Sequence, residues 1–537
     1  MDNKSKPRLK HEEKTSFAKN VMMLAAAQIV VKILGLVYKI IIVNVPGFGD
    51  TGNGFYSAGY QLYMVLLAIS SIGIPNVVSK LVSERVAVGD KQGAYRVFKI
   101  TFNLISAVGF ILAAFMFVFS KSISLALFGN KGVAYTLMAL SPAVLFVSSN
   151  SVLRGFFTGL GSLKSTSISE IIEQTFNCLL SILFVYMASG LGTNTAIMAA
   201  AGNLSTSLAA LVSLGYMISH FALRRKYLKA DCESQEIPTE NTPTKSLIKT
   251  ITLLALPAAF ASLVSTLSSN IDSITVSKTV GGVEAFGLLS KTETLTHMPL
   301  ALSATLYIAI VPVISALMKT GEKQAAEKKL SDTMFLSNII IFPCAAGFIA
   351  LAQPILSLLY PSADDGAFLL QLQTIAMLFS ALTYILNGIF YGLGKQKYPA
   401  VILLIGTALK LGLNIIFLNV LELSVVSAVI STIIYQALVT IAEIIVLEKF
   451  IKVRIGITNQ LLKPLLASVA MGILVYFTNG LLNKIFSSNI STIISIAIGV
   501  LAYGIIILCI KTLSKEDCLN LPKGELIYRI LHKFRFI

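Results

Sequence analysis

The chain has 537 residues, 55% of them hydrophobic and 13% charged, with a mean hydropathy of +0.79. A soluble globular chain carries about 25% charged residues, so this composition excludes that class and describes a polytopic membrane protein. The formal net charge of +17 raises the question of nucleic acid, which the placement of the cations answers below.

Apolar stretches of about 20 residues, the length a helix needs to cross the hydrocarbon, recur from end to end. The fourteen predicted spans are 20–44, 56–77, 96–119, 132–157, 167–189, 193–219, 248–269, 284–312, 332–359, 367–391, 398–419, 421–447, 460–480 and 487–511. The fold class is therefore all-α and polytopic. Span 1 is too long for the apolar core of a cleavable signal peptide, and no small-residue cleavage site follows it.

Span 1 contains VKILGLVYKII, with Lys32 and Lys39 seven residues apart. Gln28, Lys32, Gly35 and Lys39 recur at spacings of four, three and four, which places them on one narrow helical stripe. Such a stripe is strongly disfavoured against lipid and should face a cavity or a partner helix. Lys32 lies about 18 Å from either end of the span, beyond the roughly 6 Å reach of a lysine stem. Lys39 lies about 7.5 Å from the outer end, so snorkelling and cavity lining both remain open for it.

Span 4 ends at Arg154, and Glu170 and Glu173 open span 5 with Gln174. These residues form either a cytoplasmic gate or an interfacial anchor beside two acids that favour a helix N-terminus. Phe156 and Phe157 read as packing. Residues 221–247 are basic, then acidic and Pro/Thr-rich, as a flexible cytoplasmic linker would be. Asp272 follows span 7 near the start of an outer loop. Lys291 and Glu293 lie in span 8, where the acid could neutralise the lysine or bind a coupling cation. Lys410 lies in span 11. Glu443, near the end of span 12, reads as a solvated carboxylate.

Of the 43 Lys and Arg residues, four fall in odd-numbered loops (Lys121, Lys131, Lys278, Lys484) and four deep inside spans (Lys32, Lys39, Lys291, Lys410). The other 35 lie in the termini, the even-numbered loops or the span ends that border them, so both termini are expected in the cytoplasm. The basic charge thus reads as topology and attraction to anionic lipid, and no nucleic-acid partner is expected. The five cysteines and four histidines are scattered, without metal or disulfide spacing. No metal, cofactor or enzymatic centre is expected, and the absence of a nucleotide motif leaves membrane potential or a Na+ or H+ gradient as the energy source.

The two halves repeat. VLRGFFTGLGSLKST at 152–166 matches ILNGIFYGLGKQKYP at 385–399 at a constant offset of 233. A weaker echo pairs IPNVVS at Ile74 with VPVIS at Val311, and GDKQGA at 89–94 with GEKQAA at 321–326. Six spans separate the copies, so the halves share one orientation about an axis along the membrane normal, an arrangement that places a cavity between two bundles. The expected organisation is an N-terminal six-helix bundle at 1–220, the linker at 221–247, a second six-helix bundle at 248–450, and helices 13 and 14 with a cytoplasmic tail at 451–537. Gly155-x-x-x-Gly159 and Gly388-x-x-x-Gly392 also fit plain close packing of helices.

KILGLVYKI (32–40), GNGFYSAGYQLYMVLLAISSIGIPNVVSKLVSE (52–84), SPAVLFVSSNSVLRGFFTGLGSLKSTSISEIIEQ (141–174) and GLGKQKYP (392–399) carry a resemblance over nearly the whole chain. They resemble the polysaccharide-export branch of the MOP flippase superfamily, and within it the Gram-positive stage V sporulation protein B and MurJ-like lipid II flippases. The resemblance implies two six-helix bundles, with helices 13 and 14 shaping a groove for a lipid tail. It further implies export of an undecaprenyl-diphosphate-linked sugar across the cytoplasmic membrane by alternating access. The Gram-negative type carries cavity arginines in helices 1, 2 and 8. Here the first position is Lys32, the next falls at Tyr38, helix 2 offers no cation, and the helix 8 place lies near Thr294 with Lys291 one turn away.

The expected substrate contacts are therefore Lys32, Lys39, Gln28, Tyr38, Lys291 and Lys410, with Glu293 and Asp272 as coupling or charge-pair residues and Arg154, Glu170 and Glu173 as the gate. The expected partners are a lipid-linked oligosaccharide, membrane lipids and the cell-wall synthesis machinery, with the chain acting as a monomer. Two rival readings are an organic-cation antiporter of the same superfamily, whose site should favour carboxylates, and an envelope-assembly scaffold that transports nothing.

Overall fold

The computed structural model describes residues 30–233, 243–278, 281–419, 425–451 and 457–509. Every regular element among them is helical. Helix α1 occupies 30–43. It is followed by α2 (Gly49–Ser70), α3 (Ile74–Ala87), α4 (Lys91–Val118), α5 (Ser120–Phe128), α6 (Val133–Gly159), α7 (Leu163–Gly190), α8 (Thr195–Glu233) and α9 (Thr244–Ser277). Then come α10 (Gly282–Lys319), α11 (Lys323–Ala350), α12 (Ala352–Leu359), α13 (Ala367–Gly392), α14 (Lys397–Asn419), α15 (Val426–Ile445), a π-helical turn (Val446–Ile451), α16 (Ile457–Leu482) and α17 (Ser488–Cys509).

Among the described residues, eleven helices are long and apolar enough to cross a membrane, α2 and α3 counting as one. The other three predicted spans coincide with α1, α9 and α10. Span 2 differs in detail, because the chain breaks at Ser71–Gly73 before Pro75 starts α3. Proline suits the first turn of a helix, where its missing N–H costs no hydrogen bond.

The repeated motifs are helix stops. After α6, Gly161 adopts φ +80°, and the Ser162 amide donates to the Phe157 carbonyl at 2.8 Å. After α13, Gly394 adopts φ +67°, and the Lys395 amide donates to the Phe390 carbonyl at 2.7 Å. Both are Schellman turns, in which a left-handed residue lets the last carbonyls find donors. Gly89 and Gly321 repeat the device after α3 and α10, with φ +83° and +79°. Asp90 then caps α4 by accepting from the Gly93 amide at 2.8 Å, while Arg85 holds its other oxygen at 2.9 Å.

Small residues of these motifs pack closely in each half. A Cβ on Gly155 would lie 2.8 Å from the Pro75 carbonyl oxygen, and one on Gly159 would lie 2.8 Å from Val82 Cβ. In the second half, a Cβ on Gly392 would lie 2.8 Å from Ile314 Cβ. The GxxxG segment of each half thus seats on that half's own IPNVVS or VPVIS segment, so the two sequence echoes are the two sides of one repeated contact.

Packing divides the chain into one compact unit through Gly287 and another from Leu288 onward. This boundary lies later than the linker at 221–247, where the composition places it. Helix α8 runs through the basic part of that stretch to Glu233, because RRKYLKADCE is rich in residues of high helix propensity. Helix α9 packs on α2, and Asn270 donates to the Gln61 carbonyl at 3.2 Å. The repeat assigns α9 to the second half, but its contacts put it in the first unit.

The core of the first unit gathers Val78, Val82, Val97, Phe98, Val152, Phe156, Phe157 and Met217. Phe98 and Phe156 lie 4.6 Å apart, so the double phenylalanine is core. In the second unit, Leu330, Met334, Ile385, Ile389, Phe390 and Leu447 join α11, α13 and the π-helical turn. Exposed apolar side chains such as Phe110, Ile111 and Val118 on α4 and Val500, Leu501 and Ile505 on α17 suit faces against lipid.

Candidate functional site

Within the first unit, Lys39 on α1 turns inward against α2. Its Nζ donates to Asn53 Oδ1 at 2.6 Å and to Ser57 Oγ at 2.9 Å, and lies 4.6 Å from the centre of the Tyr56 ring. Asn53 in turn donates to the Gly287 carbonyl at 2.7 Å, which fixes the orientation of its amide. Tyr38 is buried and its hydroxyl shares a hydrogen bond of 3.2 Å with Tyr56. No acidic partner of Lys39 occurs among the described residues. The ammonium is solvated by neutral groups and a ring face, which stabilise a cation while leaving it free to attract an anion.

The sequence separates the two lysines by depth, and the structure gives them different settings. Lys32 is exposed, whereas Lys39 is held in the interior. Depth along a span says how far a side chain is from water at the ends, but the neighbouring helices decide what it meets. Gln28 lies outside the described residues. Gly35 faces α7, where a Cβ would lie 3.6 Å from Gln174 Nε2, so the stripe between the lysines does turn toward a partner helix.

Aromatic rings continue inward along α2. Tyr56 stacks on Tyr60 at 6.4 Å, and Tyr60 meets Tyr63 at 5.5 Å. Residues 53, 56, 57, 60 and 63 recur at helical spacing in GNGFYSAGYQLY, so the local spacing alone marks this polar face. Further along, Arg154 of α6 donates to Glu173 of α7 at 2.6 Å, to Ser169 at 3.1 Å and to Ser213 of α8 at 3.2 Å. Asn150 adds a 2.9 Å bond to Ser213. Glu173 receives the guanidinium about 15 Å into α7 at 1.5 Å per residue, well inside the helix, and Glu170 is half-buried one turn earlier.

Asp272 is not in a loop. It lies within the last two turns of α9 and is buried, because that helix continues past the predicted span to Ser277.

The second unit holds two more buried lysines. Lys291 of α10 is 1% exposed, donates to the Ala363 carbonyl, and lies 5.6 Å from the Tyr360 ring centre. It ties α10 to the segment between α12 and α13. Glu293 lies two residues on in the same helix. Lys410 of α14 is 3% exposed and lies 5.7 Å from the Tyr435 ring centre of α15. Lys39, Lys291 and Lys410 thus share one setting, an ammonium over a tyrosine face. Glu443 of α15, read as solvated from its sequence position, is 1% exposed.

Two adjoining pockets open beside α16. One, of about 440 Å³, is apolar and lined by Ala346, Ile349, Val469, Ile473, Tyr476 and Phe477 of α11 and α16. The other, of about 550 Å³, shares Tyr476 and Phe477 and adds Gln353, Gln371, Asn479 and Lys484. Helices 13 and 14, expected to shape a lipid groove, are α16 and α17, and both pockets are lined by α16.

An all-helical membrane transporter is the class that this helix order, internal repeat and buried cationic interior define. Two solved structures share the fold. The lipid II flippase MurJ in its inward closed conformation aligns with a TM-score of 0.70 at 16% identity, covering 90% of this chain and 98% of its own. An inward-facing multidrug resistance MATE family transporter of the MOP superfamily aligns at 0.64 and 15% identity, covering 80% and 99%. Among curated relatives, stage V sporulation protein B of Bacillus subtilis is 24% identical over 96% of this chain and 100% of its own length. The Bacillus subtilis lipid II flippase MurJ is 27% identical over 75% of this chain and 78% of its own. The polysaccharide biosynthesis protein family model matches residues 17–318, and the lipid II flippase MurJ model matches 221–500. Each match spans more than half of the chain, which belongs to the polysaccharide biosynthesis protein and lipid II flippase MurJ families.

Proposed function

We propose that this protein flips a polyprenyl-diphosphate-linked sugar, lipid II or a related envelope precursor, across the cytoplasmic membrane by alternating access. The observation that carries the reading is Lys39, a cation inside the first unit held by Asn53, Ser57 and Tyr56. A diphosphate is multiply anionic and cannot cross hydrocarbon unshielded. A lysine already desolvated and neutralised by no acid among the described residues offers it a partner at low cost. The headgroup meets this cation, while the polyprenyl tail stays in lipid, and the apolar pocket between α11 and α16 supports a seat for part of the tail. An inside-negative potential favours outward movement of the anion by about 2.3 kcal/mol per charge per 100 mV. The likeness to the multidrug transporter concerns the fold alone. A site for organic cations needs exposed carboxylate rather than ammonium, so the lysines argue against that substrate class.

The test follows accessibility of the lipid-linked precursor on the outer leaflet of cells or vesicles, comparing wild type, depleted and Lys39→Ala protein. Outward movement should fall on depletion and again in the variant. Unchanged movement of every such precursor on depletion overturns the reading. A scaffold that moves nothing predicts normal envelope synthesis in Lys39→Ala.

A further inference from the structure

The internal repeat makes it possible to ask what the second unit holds where the first holds its Arg154–Glu173 ion pair. The offset of 233 that aligns α6 with α13 places Asn387 at the position of Arg154. Carried through the matching Schellman turns into α7 and α14, it places Gly406 at the position of Glu173. The third helix is aligned by contacts. Asn150 reaches Ser213 at 2.9 Å, and Thr383, the counterpart of Asn150, shares a 2.9 Å hydrogen bond with Thr440. Ser213 of α8 therefore corresponds to Thr440 of α15.

Both charges of the pair are missing from their equivalent places. A Cβ on Gly406 would lie 2.8 Å from Tyr435 Cε2 and 2.8 Å from Val439 Cγ2, so the room for a carboxylate is filled by a ring and a branched side chain. A carboxylate is nevertheless present. Glu443 stands three residues beyond Thr440 on α15, and Asn387 stands four residues beyond Thr383 on α13. Because Thr440 also donates to the Phe379 carbonyl, and Ile385 and Ile389 cluster with Leu447, the two helices run parallel. Asn387 and Glu443 are thus one turn further along the same helix pair.

The second unit has kept a buried acid and lost the arginine that would neutralise it. Glu443 is 1% exposed, and its Oε2 has no hydrogen-bond partner among the described residues. The apolar cluster of Ile385, Ile389, Phe390, Ile444 and Leu447 spans the same stretch of α13, α15 and the π-helical turn. Three residues later α15 passes into the π-helical turn Val446–Ile451. Such turns loosen the helical ladder and are frequent at functional sites.

An ionised carboxylate in such a place must be neutralised, by a metal ion or by a proton. A metal ion would require several ligands, and among the described residues no group of three or more His, Cys, Asp or Glu side chains gathers that could hold one. The ionisable groups of the elements packed on α15 are Tyr384 and Tyr391 of α13 and Lys397, Tyr398 and Lys410 of α14, and α11, which joins the same apolar cluster, carries Lys323, Glu327, Lys328, Lys329, Asp332 and Cys344. Helix α15 itself adds Tyr435, and the π-helical turn adds Glu448 and Lys449. Lys410, the cation on the same α14–α15 seam, is placed over Tyr435, two turns from Glu443 and about 12 Å along the axis. We propose that Glu443 is a reversibly occupied proton site, taking a proton on its carboxylate from water and returning it, and that this unpaired counterpart of Glu173 is where proton binding couples to transport. The coupling role rests on the flippase reading; the proton site does not.

The purified full-length protein is treated with dicyclohexylcarbodiimide, which reacts with protonated carboxyl groups in apolar surroundings, and the adducts are mapped by mass spectrometry. The adduct should form on Glu443, increase as the pH is lowered, and be absent from the ion-paired Glu173. Asn387→Arg, which restores the missing arginine, should reduce the adduct about tenfold, since an opposite charge beside a carboxylate favours its ionised form. Glu443→Gln should abolish it, with thermal melting of both variants checking that they fold. No adduct on Glu443, an adduct indifferent to pH, or protection by excess sodium chloride rather than by raised pH overturns the proposal. In vesicles, a pH gradient should change precursor movement by wild type but not by Glu443→Gln. Labelling without any precursor movement by wild type would sink the flippase reading and leave the proton site standing; precursor movement without labelling would do the reverse.

Discussion

Lys39 and Arg154 show two ways in which one interior holds a cation. Arg154 has an acid, Glu173, at 2.6 Å, with side chains 16% and 25% exposed. Removing the arginine alone leaves that acid poorly solvated, and Arg154→Met should cost about 2–3 kcal/mol, somewhat under the 3–5 of a fully buried pair. The double variant Arg154→Met/Glu173→Met should recover part of the loss, and thermal unfolding of the purified proteins measures both. Among the described residues Lys39 has only neutral partners, so its charge is available to a ligand. Lys39→Met should lower precursor movement about tenfold or more, the scale of one charge-assisted hydrogen bond of about 1.5–3 kcal/mol, while Lys39→Arg retains part of it. A loss of stability with unchanged movement would make Lys39 a packing residue.

At the scale of elements, the repeat is explained by turns and close contacts. Gly161 and Gly394 stop their helices with positive φ, and nothing within 4 Å crowds either one, so a side chain there meets backbone strain alone. Gly161→Ala and Gly394→Ala should each destabilise by about 1 kcal/mol, through the left-handed backbone alone. Gly159 differs, because its Cβ would collide with Val82 Cβ at 2.8 Å and the Ser79 carbonyl oxygen at 2.9 Å. Gly159→Ala should cost about 1–3 kcal/mol by pushing α3 off α6, and a shift in melting temperature smaller than that of Gly161→Ala would refute the contact. These elements were legible in the sequence, since span length, GLG and GDKQ motifs and GxxxG spacing are local signals. The break between α2 and α3 and the continuation of α8 to Glu233 were not, because a hydropathy window responds to apolar content rather than to where the helical ladder ends.

For the whole molecule, the charge sorting makes a topological prediction that cysteine labelling can check. Lys131→Cys and Lys484→Cys should react with a membrane-impermeant thiol reagent added outside, whereas Lys395→Cys should react only after permeabilisation. Reaction of all three from one side would overturn the alternation of loops. Membrane class, the all-helical fold, the duplication and the family were legible in the sequence alone, because each depends on composition, length or short-range order. Tertiary structure decided which cations are held and by what: Lys39 by residues of α2, Lys291 by the segment after α12, and Lys410 by α15. It also moved Asp272 from a loop into buried helix, and Glu443 from a solvated end to an apolar interior. The physical reason is the same in each case. A side chain's position along its own helix follows from the sequence around it, but its solvation is set by helices that the chain brings back from far away.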